Sequence, residues 1–151
     1  MEMIDEIGPT FDLICLPCGT GGTLAGILEG LKGKYFIIGF PVMKNGSFLR
    51  KNIDSLTHDF SGETYTNYKL NTKYHFGGYA RYGAKLIRFI NNFRRSSGIR
   101  LDPVYTGKMM FGIFDLIRQG IIQNNTRILV LHTGGLQGIA GFNRRFGHLI
   151  D

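Results

Sequence analysis

Long apolar runs are missing from this 151-residue chain. None approaches the ~18 to 20 residues that a membrane-spanning helix requires, so no segment reads as one. The first residues, Met1 to Glu6, are acidic and lack the basic-then-apolar order of a secretory signal. A cytoplasmic protein is therefore expected. Cysteine is scarce, with Cys15 and Cys18 the only two. They form a C-x-x-C, but no second such pair and no His-x3–5-His follows, whereas zinc needs about four ligands. A redox pair needs its first cysteine at a helix N-terminus, and Cys15 falls instead inside the apolar run Phe11 to Leu16. Two small strand residues are the simpler reading. His58, His75 and His148 show no ligand spacing, and no metal site is expected.

Acidic residues are also few, 11 against 18 Lys and Arg, giving a formal charge of +7. The bases are dispersed, with dense groups only at Arg94-Arg95 and Arg144-Arg145. No basic run is interleaved with aromatics as in a nucleic-acid groove. A solvated basic surface is expected, and no nucleic-acid partner; binding to DNA or RNA would show itself by steep salt dependence. Repeats, low-complexity stretches and evident linkers are absent too.

What remains is a globular composition, 43% hydrophobic and 19% charged, in a chain long enough to bury one core. Phe11 to Leu16, Tyr35 to Phe40 (halted by Pro41) and Arg127 to His132 are short, nearly continuous apolar runs, the pattern of strands buried on both faces. Helical spacing predicts helices over about 23–32, with Leu24, Ile27, Leu28 and Leu31 inward and Gly33 as the stop. It also predicts them over about 45–56, capped by Asn45 or Ser47, and over about 82–95, with Leu86, Ile87, Phe89, Ile90 and Phe93 on one face. A further helix is predicted over about 107–118, with Met110, Ile113, Phe114 and Ile117 inward and Gly120 as its stop. Tyr65 to Leu70 alternates weakly and is compatible with an edge strand. The alternation of strands and helices predicts an α/β fold, three-layered, with a mainly parallel sheet and ligands at the carboxyl ends of its strands. Three clear strands make a thin sheet with unpaired edges, so part of the domain is expected to lie outside the chain.

The strongest local signal is strand, then Cys18-Gly19-Thr20-Gly21-Gly22-Thr23, then helix. Glycines let successive N–H groups turn toward one point, and a helix start adds partial positive charge, so an anion can be held without a lysine. Thr20 and Thr23 can add hydroxyl donors. A tight turn without a ligand is the alternative. The ATP-binding pattern GxxxxGK[ST] is absent. The dinucleotide fingerprint would place its last glycine at Leu24. The second strand ends Gly39-Phe40-Pro41-Val42, without the acid that would hold a ribose. A compact monophosphate fits better.

Four segments occur in order along the chain: Cys18 to Gly26; Phe76-Gly77-Gly78-Tyr79; Leu101-Asp102-Pro103-Val104-Tyr105-Thr106-Gly107-Lys108; and His132-Thr133-Gly134-Gly135. Together they resemble the 1-aminocyclopropane-1-carboxylate deaminase and D-cysteine desulfhydrase family of pyridoxal-phosphate enzymes. The resemblance implies a fold like that of the tryptophan synthase beta subunit, here incomplete, and pyridoxal 5'-phosphate as cofactor. It implies that Gly19, Thr20, Gly21, Gly22 and Thr23 bind the cofactor phosphate, that Thr106 is a further cofactor contact and that Thr133 bonds the pyridine nitrogen. A hydroxyl partner there leaves that nitrogen largely unprotonated and the cofactor a weaker electron sink. Tyr79 and Tyr105 would be the catalytic pair on the substrate side, as substrate contacts or acid/base groups. Acid/base work would need a tyrosine pKa lowered by its surroundings. Each tyrosine could equally be a packing residue with a hydrogen-bonded tip, and Lys108 a phosphate-side or helix-start residue.

The match departs from the family at two places. Thr106 stands where ring-opening deaminases have glutamate, which is more similar to the desulfhydrase branch. The family's Schiff-base lysine, in an Asn-Lys-x-Arg-Lys-like segment, has no counterpart in the sequence, nor has its serine-containing Asn-His stretch. That lysine tethers the cofactor and moves protons, so the chain alone is expected to be inactive. Residues 1–151 would be the C-terminal part of the cofactor domain of a longer, homodimeric enzyme acting on a small amino acid. A non-catalytic phosphate-binding module is the alternative.

Overall fold

The computed structural model of the chain describes residues 11–44, 46 and 48–151. Strands β1 (Leu13–Cys18), β2 (Phe36–Pro41), β3 (Tyr68–Leu70) and β4 (Ile128–Val130) form one sheet in the order β3-β2-β1-β4. All pairings are parallel, with Leu13 opposite both Phe36 and Ile128, and Ile37 opposite Tyr68. Helices α1 (Gly22–Leu31), α2 (Phe48–Ser61), α3 (Ala84–Ser97), α4 (Thr106–Arg118) and α5 (Gly138–Phe146) complete it, with a 3-10 turn at Thr72–Tyr74.

Every residue of β1 is buried, which is why its sequence reads apolar without alternation. Side chains still alternate between faces, and that separates the two cysteines. Cys18 joins Leu24, Leu28, Leu49 and Ile53 on the α1 and α2 side. Cys15 joins Phe40, Met109, Ile113 and Leu116 on the α4 side. The C-x-x-C therefore points two ways and cannot act as a pair. A third cluster, with Leu86, Ile90, Ile139 and Phe142, seats α3 and α5 together. Gly39 lets α1 approach the sheet, since a Cβ there would lie 2.7 Å from Leu24 Cδ1 and 2.8 Å from Cys18 Sγ.

The chain runs from β1 outward to β2 and β3, then returns to β4 on the other side of β1. The order therefore reverses at the carboxyl ends of β1 and β4, the crevice position for a ligand in an open parallel sheet. The expected α/β architecture with helices on both faces is the one observed, and Tyr68–Leu70 is indeed an edge strand.

Three details differ from the sequence reading. The inward face of α4 is Met109, Gly112, Ile113 and Leu116, whereas Phe114 is 49% exposed. Phe114 nonetheless packs at the α3 side, its ring 5.5 Å from Phe89 and 5.9 Å from Phe93. Helix α2 runs to Ser61, beyond the expected end at Leu56, and its expected cap at Asn45 or Ser47 lies outside the described residues, as does Met1 to Glu6. Helix α5 was not foreseen. It is short, glycine-containing and rich in arginine, and only Ile139 and Phe142 are buried on it.

Buried acids predict alkaline destabilisation. Burial pushes the Cys15 and Cys18 thiols up from 9.0 to about 12. Burial, then Asp54 and Asp115 respectively, push Tyr68 and Tyr74 up from 10.0 to about 12. These groups ionise first in the unfolded chain, so their stability is complete below pH 9 and is lost toward pH 12. Lys108, lowered to about 8 by burial, works in the opposite sense, raising stability between pH 8 and 10.5. The acids outnumber it. Urea unfolding should give a falling free energy above pH ~9.5, and Cys15→Ala/Cys18→Ala should move the onset upward. An unchanged free energy from about pH 8 to 11 would contradict the assignment.

Candidate functional site

Helix α1 begins directly after β1 through a single tight turn. Its N-cap is Gly21, at φ 92, and among the described residues no side chain caps the first turn. Gly21 has to be glycine on two counts, because its backbone is left-handed and a Cβ would lie 2.8 Å from Ile53 Cγ1. The first-turn N–H groups thus face the loop without a side-chain acceptor among the described residues, and the helix dipole adds its positive end there. Cys18 to Leu24 and Tyr105 line a cleft of about 240 Å³ at this point. The five residues expected to hold a phosphate, Gly19 to Thr23, are all in its wall. The cleft fits the group: a strand-end glycine loop, an uncapped helix start and two hydroxyls suit a monoester phosphate. Two larger hollows, about 560 and 460 Å³, contain none of the candidate residues except Gly22.

Tyr105 reaches the loop from the other side. Its ring lies over Gly19, where a Cβ would be 3.5 Å from Tyr105 Cε1 and 3.8 Å from the hydroxyl. Asp102 puts it there. The Asp102 carboxylate accepts from the N–H groups of Val104 and Tyr105 (both 2.8 Å) through Oδ2, and from Thr106 N–H (2.8 Å) through Oδ1. Thr106 Oγ1 donates to Asp102 Oδ1 at 2.7 Å and accepts from Asp102 N–H at 3.0 Å. Asp102, 2% exposed, is thus the knot that starts α4. Gly135 rests on it, since a Cβ there would lie 3.0 Å from the Asp102 carboxyl carbon. The Asp102 loop and the turn after β4 are therefore packed against each other.

Thr106 departs from the expectation that it contacts a cofactor. It is fully buried and its hydroxyl is spent on Asp102, so its place is in the loop's own hydrogen bonding. Thr133 is exposed just past the carboxyl end of β4, two residues before Gly135, and does not line the cleft. Tyr79 is 60% exposed and meets Tyr105 edge-on, with ring centroids 6.0 Å apart at 74°. The two tyrosines come together although 26 residues separate them in sequence (105 − 79). Burial, the adjoining Tyr79 hydroxyl and the Asp102 carboxylate hold the Tyr105 hydroxyl above the ordinary tyrosine value. This is the reverse of the lowering that a tyrosine base would need, so Tyr105 is an O–H donor at neutral pH.

Two residues acquire roles that their sequence context alone did not reveal. Asp102 had a signal, because Asp-Pro favours a turn start ahead of a helix. Lys108 had a fainter one, a charge on the same stripe as Met109, Gly112 and Leu116. His132 bonds backbone groups, Nε2 to the distant Arg100 carbonyl at 2.9 Å and Nδ1 accepting from the nearby Gly134 N–H at 3.3 Å. Among the described residues no group of three or more His, Cys, Asp or Glu could hold a metal, and no helix is long and apolar enough to cross a membrane.

Residues 1–134 match the family described as pyridoxal-phosphate dependent enzyme. The chain belongs to that family. It is 35% identical over 144 residues to a putative 1-aminocyclopropane-1-carboxylate deaminase of Pyrococcus furiosus, covering 91% of this chain and 43% of that protein. It is 31% identical over 136 residues to the mitochondrial bifunctional D-cysteine desulfhydrase/1-aminocyclopropane-1-carboxylate deaminase of Arabidopsis thaliana, covering 85% and 33%. The crystal structure of an ACC deaminase homologue superposes with a TM-score of 0.79 at 30% identity, covering 99% of this chain and 48% of that one. The chain thus spans under half the length of these relatives. The resemblance drawn from the four sequence segments is upheld, and pyridoxal phosphate is the cofactor of the family.

Proposed function

We propose that the chain forms the phosphate-binding, substrate-facing part of a pyridoxal-phosphate deaminase or desulfhydrase that releases ammonia and an α-keto acid from a small amino acid. The observation that carries this is the placing of the Tyr105 hydroxyl over an uncapped glycine loop at the sheet's reversal point. Bound pyridoxal phosphate would supply an electron sink for charge developing at the substrate α-carbon. Gly19 to Thr23 would hold its phosphate through backbone N–H groups and the Thr20 and Thr23 hydroxyls. Thr133 would donate to the pyridine nitrogen, leaving it largely unprotonated. Tyr105 would donate its proton or a hydrogen bond on the substrate side, with Tyr79 beside it closing that side against water. The Schiff-base lysine would come from sequence outside these 151 residues, which would be the C-terminal part of the cofactor domain, in a homodimer. Thr106, in this reading, supports Tyr105 and touches no cofactor.

A second reading is a phosphate- or pyridoxal-phosphate-binding module without catalysis, favoured by the lack of an Asn-Lys-x-Arg-Lys-like segment in these 151 residues. Titrating pyridoxal phosphate, with inorganic phosphate as competitor, separates the possibilities. A ligand excess of about a hundredfold over Kd stabilises by about 2.7 kcal/mol, a rise of roughly 5 to 10 °C in Tm for a chain of this size. Protection competed by phosphate, with turnover only when the Schiff-base segment is supplied, supports the enzyme reading. Protection without turnover in the longer protein supports the module. No protection and no shift of Gly19 to Thr23 signals would sink both.

A further inference from the structure

The turn that presents Tyr79 is strained. Phe76 and Ala80 both have φ 53, and Gly77 and Gly78 between them have φ 96 and 122. Left-handed backbone costs a non-glycine residue roughly 1 to 2 kcal/mol, and persists only where surrounding contacts over-determine it. Two contacts with α4 do so. The Phe76 ring packs edge-on against Phe111 with centroids 5.0 Å apart. The Lys108 Nζ donates to the carbonyls of His75 at 2.9 Å and Gly78 at 2.7 Å.

Lys108 is only 1% exposed. No carboxylate among the described residues pairs with this buried ammonium, which makes it costly, and burial lowers its pKa to about 8 against an opposing pull from Asp102. A methionine of similar length would pack there without that cost. The lysine does what an apolar chain cannot, which is to draw two carbonyls inward across the turn. Tyr79 itself is mostly in solvent, so its own packing does little to hold it. Lys108 lies one helical turn beyond Tyr105, and one side chain therefore links the turn carrying Tyr79 to the helix start carrying Tyr105.

We propose that Lys108 is a positioning residue, whose hydrogen bonds to the His75 and Gly78 carbonyls hold Tyr79 against Tyr105 beside the glycine loop. The catalytic consequence rests on the function proposed above, whereas the geometric claim stands without it. With both carbonyls engaged, Lys108 is also not a free amine for the cofactor aldehyde.

The test uses isotopically labelled chain without cofactor. In the wild type, the Lys108 ammonium should give a slowly exchanging signal with through-hydrogen-bond couplings to the His75 and Gly78 carbonyl carbons, and the Tyr79 and Tyr105 rings should show cross-relaxation. Lys108→Met should abolish that cross-relaxation and speed amide exchange at Gly77 to Ala80 by about tenfold or more, while Tyr68 and Tyr74 ring signals stay unchanged. Lys108→Arg should restore part of the protection. A folded Lys108→Met protein that keeps both the Tyr79–Tyr105 contact and the protection overturns the proposal. If Lys108→Met does not fold, the wild-type couplings decide, and their absence overturns it. In the longer enzyme loaded with pyridoxal phosphate, kcat should fall by about 10²-fold with KM little changed. A lack of cofactor-induced shifts at Gly19 to Thr23 would count against the cofactor reading alone, because the Lys108 measurements do not need it.

Discussion

Asp102→Ala is expected to lower the unfolding free energy by about 3 to 5 kcal/mol and to release Tyr105 from the glycine loop. The carboxylate accepts four hydrogen bonds, three from consecutive backbone N–H groups and one from Thr106 Oγ1. Thr106 is fully buried, so removing Asp102 leaves its N–H and hydroxyl without their acceptor and without water. Each such orphaned group costs roughly 1 to 3 kcal/mol, which exceeds the ~1 kcal/mol of an ordinary exposed cap. Asp102→Asn keeps an acceptor oxygen and should cost less than half as much. Denaturant unfolding of the two variants checks the order. A loss below about 1 kcal/mol for Asp102→Ala would show that the helix start is held by packing instead. The same variant should lose the upward shift that Asp102 adds to Tyr105, visible as earlier ring titration by NMR.

Gly21→Val should reduce affinity for pyridoxal phosphate or inorganic phosphate by at least about tenfold, with a stability loss of about 2 to 4 kcal/mol. Two costs coincide at this residue. The left-handed backbone at φ 92 strains any side chain, a β-branched one most. A Cβ would also meet Ile53 Cγ1 at 2.8 Å, and Ile53 is fully buried on α2 with nowhere to retreat. Relief requires the start of α1 to move, and the uncapped N–H groups move with it. Gly21→Ala/Ile53→Ala separates the two costs, since it removes the contact and leaves the backbone strain. If affinity returns in the double variant relative to Gly21→Ala, the contact with α2 sets the loop; if it does not, the backbone conformation does. Unchanged phosphate binding in Gly21→Val would show that the anion is not held at this helix start.

The legibility of the site in the sequence follows from how local each signal is. The loop after β1 was legible because glycine density, strand hydrophobicity and the following helical stripe all lie within 20 residues. The strand of Tyr68–Leu70 was only faintly legible, since three residues show little alternation and its edge position decides its pairing. The inward face of α4 is legible at Ile113 but not at Phe114, and Met110 and Ile117 are only half-buried against the same cluster. Phe114 is apolar enough for a core residue, yet the sheet side is filled by Met109, Ile113 and Leu116, and Phe114 turns to Phe89 and Phe93 on α3. Helix α5 went unread because two buried residues in a nine-residue helix make no period of their own. Its place depends on Tyr82, whose ring meets Phe142 and Phe146 at 5.0 Å each.

The sequence by itself determined the parallel α/β class, the glycine loop between β1 and α1, the lack of a GxxxxGK[ST] pattern and the order of the four family segments. These rest on periodicity and on residue chemistry within one turn or strand, which local physics dictates. Only the tertiary structure decided that Tyr79 and Tyr105 meet, that Thr106 is spent on Asp102, and that Lys108 reaches carbonyls 33 and 30 residues upstream. Such pairings join segments whose approach is set by how α4 packs on the sheet. Hydrogen-bond partners at that separation leave no spacing to read, because burial selects them after the chain has folded.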